Sequence, residues 1–104
     1  MQSHTAEDQK QLVKYLIHAD EGRKLEFKRV SGKMVGKALE TICAFANAEG
    51  GHLVLGMGDL KEHQGNARLF GVEEHAEALD ELDRKLRTEF LPPLEVRRFH
   101  IECT

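Results

Sequence analysis

The spacing of apolar positions switches between the helical and the extended period along this chain, and each switch marks an element. From Glu7 to His18, Leu12, Val13, Leu16 and Ile17 form one stripe at helical spacing, and Thr5, three residues before Asp8, supplies an N-terminal cap. Lys24-Leu25-Glu26-Phe27-Lys28-Arg29-Val30 alternates polar and apolar residues, as a half-buried strand does. Ser31-Gly32-Lys33 breaks that strand. A second helix is predicted over Met34 to Ala48, where Val35, Ala38, Leu39, Ile42, Cys43, Phe45 and Ala46 give it a wide apolar face. Gly50 is placed to end it with a positive φ.

His52 to Met57 is a short apolar run bounded by glycines, which predicts an interior strand. Leu60 to Asn66 is a polar connection, and Ala67 to Val72 is read as a further short strand. A third helix is expected from Glu74 to Phe90, with Leu79, Leu82, Leu86 and Phe90 facing inward, until Leu91-Pro92-Pro93 stops it. Leu94 to Cys103 alternates again. The order αβαββαβ predicts an α/β (α+β sandwich) fold, a small sheet of about four strands packed by three helices. With 104 residues the chain is read as a single domain over 1–104. The last strand runs to the final residues, so this domain is expected to be the N-terminal part of a longer protein, with a C-terminal domain to follow.

Composition narrows the class. The chain is 40% hydrophobic and 32% charged, the balance of an ordinary globular protein. It contains no apolar run of the roughly 18 residues that a membrane span needs, and the polar N-terminus lacks the apolar core of a signal peptide. Only two cysteines are present, and Cys43 lies in an apolar helical run, so a reduced, cytoplasmic setting is expected. The net charge of −3 conceals an uneven distribution. Between Arg23 and Lys37 six basic residues face one acid, whereas between Glu73 and Glu89 seven acids face three bases. A basic strip of this kind, carrying Lys24, Lys28, Arg29, Lys33 and Lys37, is a candidate phosphate-binding face. Aromatic residues are scarce, with one Tyr, no Trp and five Phe, which gives little support to base recognition by aromatic stacking.

Candidate chemistry is confined to few positions. The six histidines have no metal-ligand spacing, Gly50-Gly51 and Gly56-Met57-Gly58 lack a phosphate-loop pattern, and no serine or cysteine sits in a triad order. Glu26 and Lys28 share one face of the first strand, Glu21 lies five residues upstream of Glu26, and Asp59 follows the second strand. Three carboxylates beside a lysine are a donor set for magnesium or manganese. The ordinary readings are a salt-bridged strand surface for Glu26 and Lys28, and a turn residue for Asp59.

Those residues carry a resemblance. Glu21-x4-Glu26-Phe27-Lys28, Ile42-Cys43-Ala44-Phe45-Ala46-Asn47, Glu49-Gly50-Gly51 and Leu53-Val54-Leu55-Gly56-Met57-Gly58-Asp59 look like the Schlafen AlbA-like domain, over about residues 10 to 101. The resemblance implies an AlbA-like α/β unit, joined in bacteria and archaea to further segments in proteins described as transcriptional regulators or DNA-binding proteins. In animal Schlafens a pair of such units forms a horseshoe that cleaves transfer and ribosomal RNA, with catalytic acids at the positions that Glu21, Glu26 and Asp59 match. The chain departs from the family in having Gly56-Met57-Gly58-Asp59 where Gly-Val-Asp-Asp is common, and Gly22 where Ser or Thr is usual.

The first expectation is a nucleic-acid-binding domain of a transcriptional regulator, contacting phosphates through Lys24, Lys28, Arg29, Lys33 and Lys37. The alternatives are a metal-dependent endoribonuclease and a dimerisation or interaction module. In the nuclease reading Glu21, Glu26 and Asp59 hold the metal and Lys28 stabilises charge. A homodimer is a candidate assembly, because the chain holds one copy of the unit and a horseshoe that grips RNA would need a second copy, from a dimer or elsewhere.

Overall fold

The structure is a computed structural model that describes residues 6–90 and 96–101. Its elements run α1 (Ala6–Leu16), β1 (Leu25–Lys28), α2 (Met34–Asn47), β2 (His52–Leu55), two short 3-10 turns (Gly65–Arg68 and Glu73–His75) and α3 (Ala76–Thr88). β1 and β2 pair in parallel, with Glu26 beside Leu53, Phe27 beside Val54 and Lys28 beside Leu55. The βαβ unit β1–α2–β2 is the centre of the fold, and the expected α/β class holds.

Two apolar clusters lie on the two faces of this ribbon. On one face Val30, Met34, Val35 and Ala38 pack with Ala78 and Leu82 of α3, against Leu53 and Leu55. On the other, Phe27 and Met57 pack with Leu16 from the end of α1, joined by Val54 and Leu69. Burying a side chain such as Val30, which is 1% exposed, contributes roughly 1.5–3 kcal/mol relative to leaving it in water. α1 meets this body through its last turn. Leu16 is buried, while Leu12 of the expected stripe and Tyr15 are exposed.

Most helix boundaries fall within two residues of the expected ones. Gly50 takes φ +95 and its amide bonds to the Phe45 carbonyl at 2.8 Å, ending α2 as its position suggested. The expected count of four strands is not met, since the sheet of the described residues has two. Ala67 to Val72 is not a strand. Its first residues close into the 3-10 turn, Gly71 takes φ +82, and pairing reduces to a single antiparallel bridge between Met57 and Leu69. Residues 96–101 contain no strand, and the remainder of the expected final strand lies outside the described residues, as does the Thr5 cap. This segment is tied to α3 by an ion pair between Arg98 and Asp83.

Candidate nucleic-acid interface

β1 carries the expected pair of Glu26 and Lys28 on one face, and their register partners Leu53 and Leu55 show which face it is. It is the side covered by α2, not an open surface. The Glu26 Oε2 accepts a hydrogen bond from the Thr41 hydroxyl of α2 at 2.7 Å, and its Oε1 lies 3.5 Å from the Lys28 Nζ. The two side chains are 31% and 16% exposed, so Lys28 is spent largely on Glu26.

Glu21 serves the same strand from its edge. The His52 amide bonds to the Lys24 carbonyl and the Gly56 amide to the Lys28 carbonyl, so residues 24, 26 and 28 turn their backbone groups towards β2. Phe27 therefore offers its amide to the opposite edge, where no further strand stands among the described residues. The Glu21 Oε2 accepts that amide at 3.1 Å, and Gly22 bridges to Leu25 beside it. A carboxylate here satisfies a half-buried donor and blunts the strand edge. Asp59 begins a turn beyond β2, where its Oδ1 accepts the Lys61 amide at 2.9 Å.

Each of the three carboxylates is thus engaged separately. Among the described residues no group of three or more His, Cys, Asp or Glu side chains is arranged to hold a metal ion.

The basic strip divides in two. Lys24 pairs with Glu49 at 3.1 Å across an exposed surface, an arrangement typically worth about 0–1 kcal/mol. Arg29 is held more firmly. Its Nε and Nη2 donate to the two Glu74 oxygens at 2.9 and 2.7 Å, and its guanidinium lies 3.8 Å from the centre of the Phe70 ring. The hydrogen bonds between them raise the Arg29 pKa above its ordinary value and hold the Glu74 carboxyl below the usual range. By contrast, Arg23, Lys33 and Lys37 are exposed and have no ion-pair partner among the described residues. Lys33 is the N-cap of α2 and Lys37 lies four residues on. The first turn contains no acid, and the N-cap makes no side-chain hydrogen bond. Two lysines thus sit at the positive end of the helix dipole.

The sequence reading missed Arg68, Phe70 and His63. Arg68 is fully buried, and its Nη1 donates to the carbonyls of Leu16, Ile17 and Ala19 while Nε donates to that of Gly58. Phe70 meets His63 edge-on at 5.0 Å, and the His63 amide donates to the Asp59 carbonyl at 2.9 Å. A lone arginine inside an apolar run was the available signal for Arg68. Nothing in the sequence marks the stacking of Phe70 on Arg29, which lies far from it along the chain.

The sequence profile of the family described as Schlafen, AlbA_2 matches residues 21–104. The chain belongs to this family. The match begins at Glu21 and includes β1, α2, β2 and α3, so the whole basic strip from Arg23 to Lys37 lies within it. No curated protein and no solved structure matches the chain. Membership in the Schlafen AlbA_2 family suggests a nucleic-acid-related domain. No helix of the described residues is long and apolar enough to cross a membrane.

Proposed function

We propose that this Schlafen AlbA_2 domain binds nucleic acid through its sugar–phosphate backbone, as part of a transcriptional regulator. The observation that carries the reading is the pair Lys33 and Lys37, exposed, without acidic partners among the described residues, and set at the uncapped start of α2. A phosphate oxygen placed there meets two ammonium groups and the positive end of a helix dipole together. Lys24 adds to the surface because its exposed pair with Glu49 is weak enough for a phosphate to displace. Lys28 and Arg29 are committed to Glu26 and Glu74, and in this reading they contribute less direct phosphate contact. A titration of the domain with single-stranded RNA and duplex DNA at low salt tests the proposal. Micromolar affinity that falls steeply with added salt is expected, and absence of binding to either polymer contradicts it.

A metal-dependent endoribonuclease remains the second reading, because Glu21 is bonded to the strand that carries Glu26 and Lys28. As arranged, Glu21, Glu26 and Asp59 do not form a cation site, and each would have to leave its present partner to build one. A magnesium or manganese ion held by them would supply Lewis-acid chemistry. In that reading Glu26→Ala and Asp59→Ala both abolish manganese-stimulated RNA cleavage while leaving RNA binding in place. Cleavage that survives either substitution removes this alternative.

A further inference from the structure

Arg29 is the first residue beyond β1, and three contacts bring it to the carboxyl end of the parallel ribbon. The Gly56 amide donates to the Lys28 carbonyl at 2.8 Å, the Phe70 amide donates to the Gly56 carbonyl at 2.9 Å, and the Phe70 ring lies under the guanidinium. The carboxyl ends of parallel strands are where open α/β sheets gather ligands. α2 also begins at this end, so Lys33 and Lys37 stand on the chain that leaves Arg29.

The guanidinium is constrained on one face and along one edge. Phe70 covers one face, and Glu74 occupies the donor edge formed by Nε and Nη2 with a two-point hydrogen bond. The Arg29 side chain nevertheless remains 53% exposed. With one face covered and one edge engaged, the guanidinium has its other face and its Nη1 edge left to offer a ligand. That face is flat, cationic and fixed in orientation, with its rotamer freedom already lost to Phe70 and Glu74.

We infer that Arg29, backed by Phe70 and held by Glu74, is a stacking platform for an unpaired nucleobase, with the adjoining phosphate taken by Lys33 and Lys37. Guanidinium planes serve this purpose wherever bases are splayed from single strands. The inference deepens the nucleic-acid reading and rests on it. It assigns single-stranded nucleic acid as the favoured class, although the chain is poor in exposed aromatic residues. It also adds a base contact to the role of Arg29, whose Nε and Nη2 edge is taken by a carboxylate.

The two roles make opposite demands on Glu74. For a platform, Glu74 fixes the plane, so Glu74→Gln loosens the stack and weakens binding. For a phosphate contact, Glu74 is a competitor, so the same substitution strengthens binding. The experiment measures affinity of the wild-type domain, Arg29→Lys and Glu74→Gln for a single-stranded RNA carrying 2-aminopurine and for a duplex of equal length, over a range of salt. The expected result is a rise in 2-aminopurine fluorescence on binding, as the base leaves its neighbours, that Arg29→Lys diminishes, and a loss of about fivefold or more in affinity for Arg29→Lys on the single strand. Its duplex affinity should fall much less than its single-strand affinity, and Glu74→Gln should also weaken single-strand binding. Wild-type affinity in Arg29→Lys, tighter binding in Glu74→Gln, or a 2-aminopurine signal on binding that is the same in Arg29→Lys overturns the platform while leaving backbone binding intact. Failure of the wild type to bind either polymer overturns the nucleic-acid reading itself. Thermal unfolding of each variant shows whether a loss of affinity comes from loss of the fold.

Discussion

The Arg68 guanidinium lies 4.4 Å from the centre of the Phe27 ring, buried with it under the parallel ribbon. Its hydrogen bonds reach the carbonyls at the end of α1 and the carbonyl of Gly58. One side chain therefore joins the segment that leads to Glu21 with the segment that leads to Asp59, against the strand that bears Glu26. The cation also complements the negative end of the α1 dipole.

Arg68→Met keeps most of the apolar volume and removes every donor. Leaving several inward-facing carbonyls unsatisfied should lower stability by about 2–4 kcal/mol. Urea unfolding of the two proteins measures this. A loss below about 1 kcal/mol means that water takes over these carbonyls and that Arg68 does not hold the two segments together.

Gly58 is buried beside two aromatic rings. A Cβ at this position comes within 2.7 Å of the Phe70 ring and 2.9 Å of the His63 ring. Gly58→Asp should therefore displace one of the rings at a cost of about 1–3 kcal/mol, and it should disturb the stack of Phe70 under Arg29. Thermal unfolding tests the first effect. An unchanged midpoint shows that the rings yield freely.

The Arg29–Glu74 contact sets a pH dependence. Its hydrogen bonds hold the Glu74 carboxyl below the ordinary glutamate value. A group depressed in the folded state adds stability above its unfolded pKa, and that contribution is lost as pH falls through the folded value. The wild type should therefore exceed Glu74→Gln in melting temperature at neutral pH, and the difference should shrink on acidification below about pH 4.5. A difference that is constant from pH 7 to pH 3 shows that the charge on Glu74 contributes nothing to the fold.

Much of this architecture was legible in the sequence. The long apolar periods of α2 and α3 and the alternation through Phe27 each bury one consistent face, and the glycine-bounded run of β2 packs on both of its faces, so local pattern and tertiary packing agree. The expected strand at Ala67 to Val72 failed because Gly65 and Asn66 start a tight turn and Gly71 takes a positive φ, leaving only Leu69 to pair. The site was legible in part. Alternation put Glu26 and Lys28 on a shared face, but only the tertiary structure reveals that α2 covers it and that Thr41 takes the carboxylate. The partners of Arg29 and Lys24 are distant in the sequence, so the strip read as uniformly available when half of it is paired.

The most direct test of backbone binding compares the wild type with the double variant Lys33→Ala/Lys37→Ala in the salt dependence of affinity for one single-stranded RNA. Each lost phosphate contact should reduce the slope of log K against log salt by about 0.7. With Lys33 and Lys37 sharing one phosphate, the account predicts a fall of about 0.7 together with weaker binding at low salt. An unchanged slope and unchanged affinity contradict it, because the exposed lysines at the start of α2 would then not be where the phosphates lie.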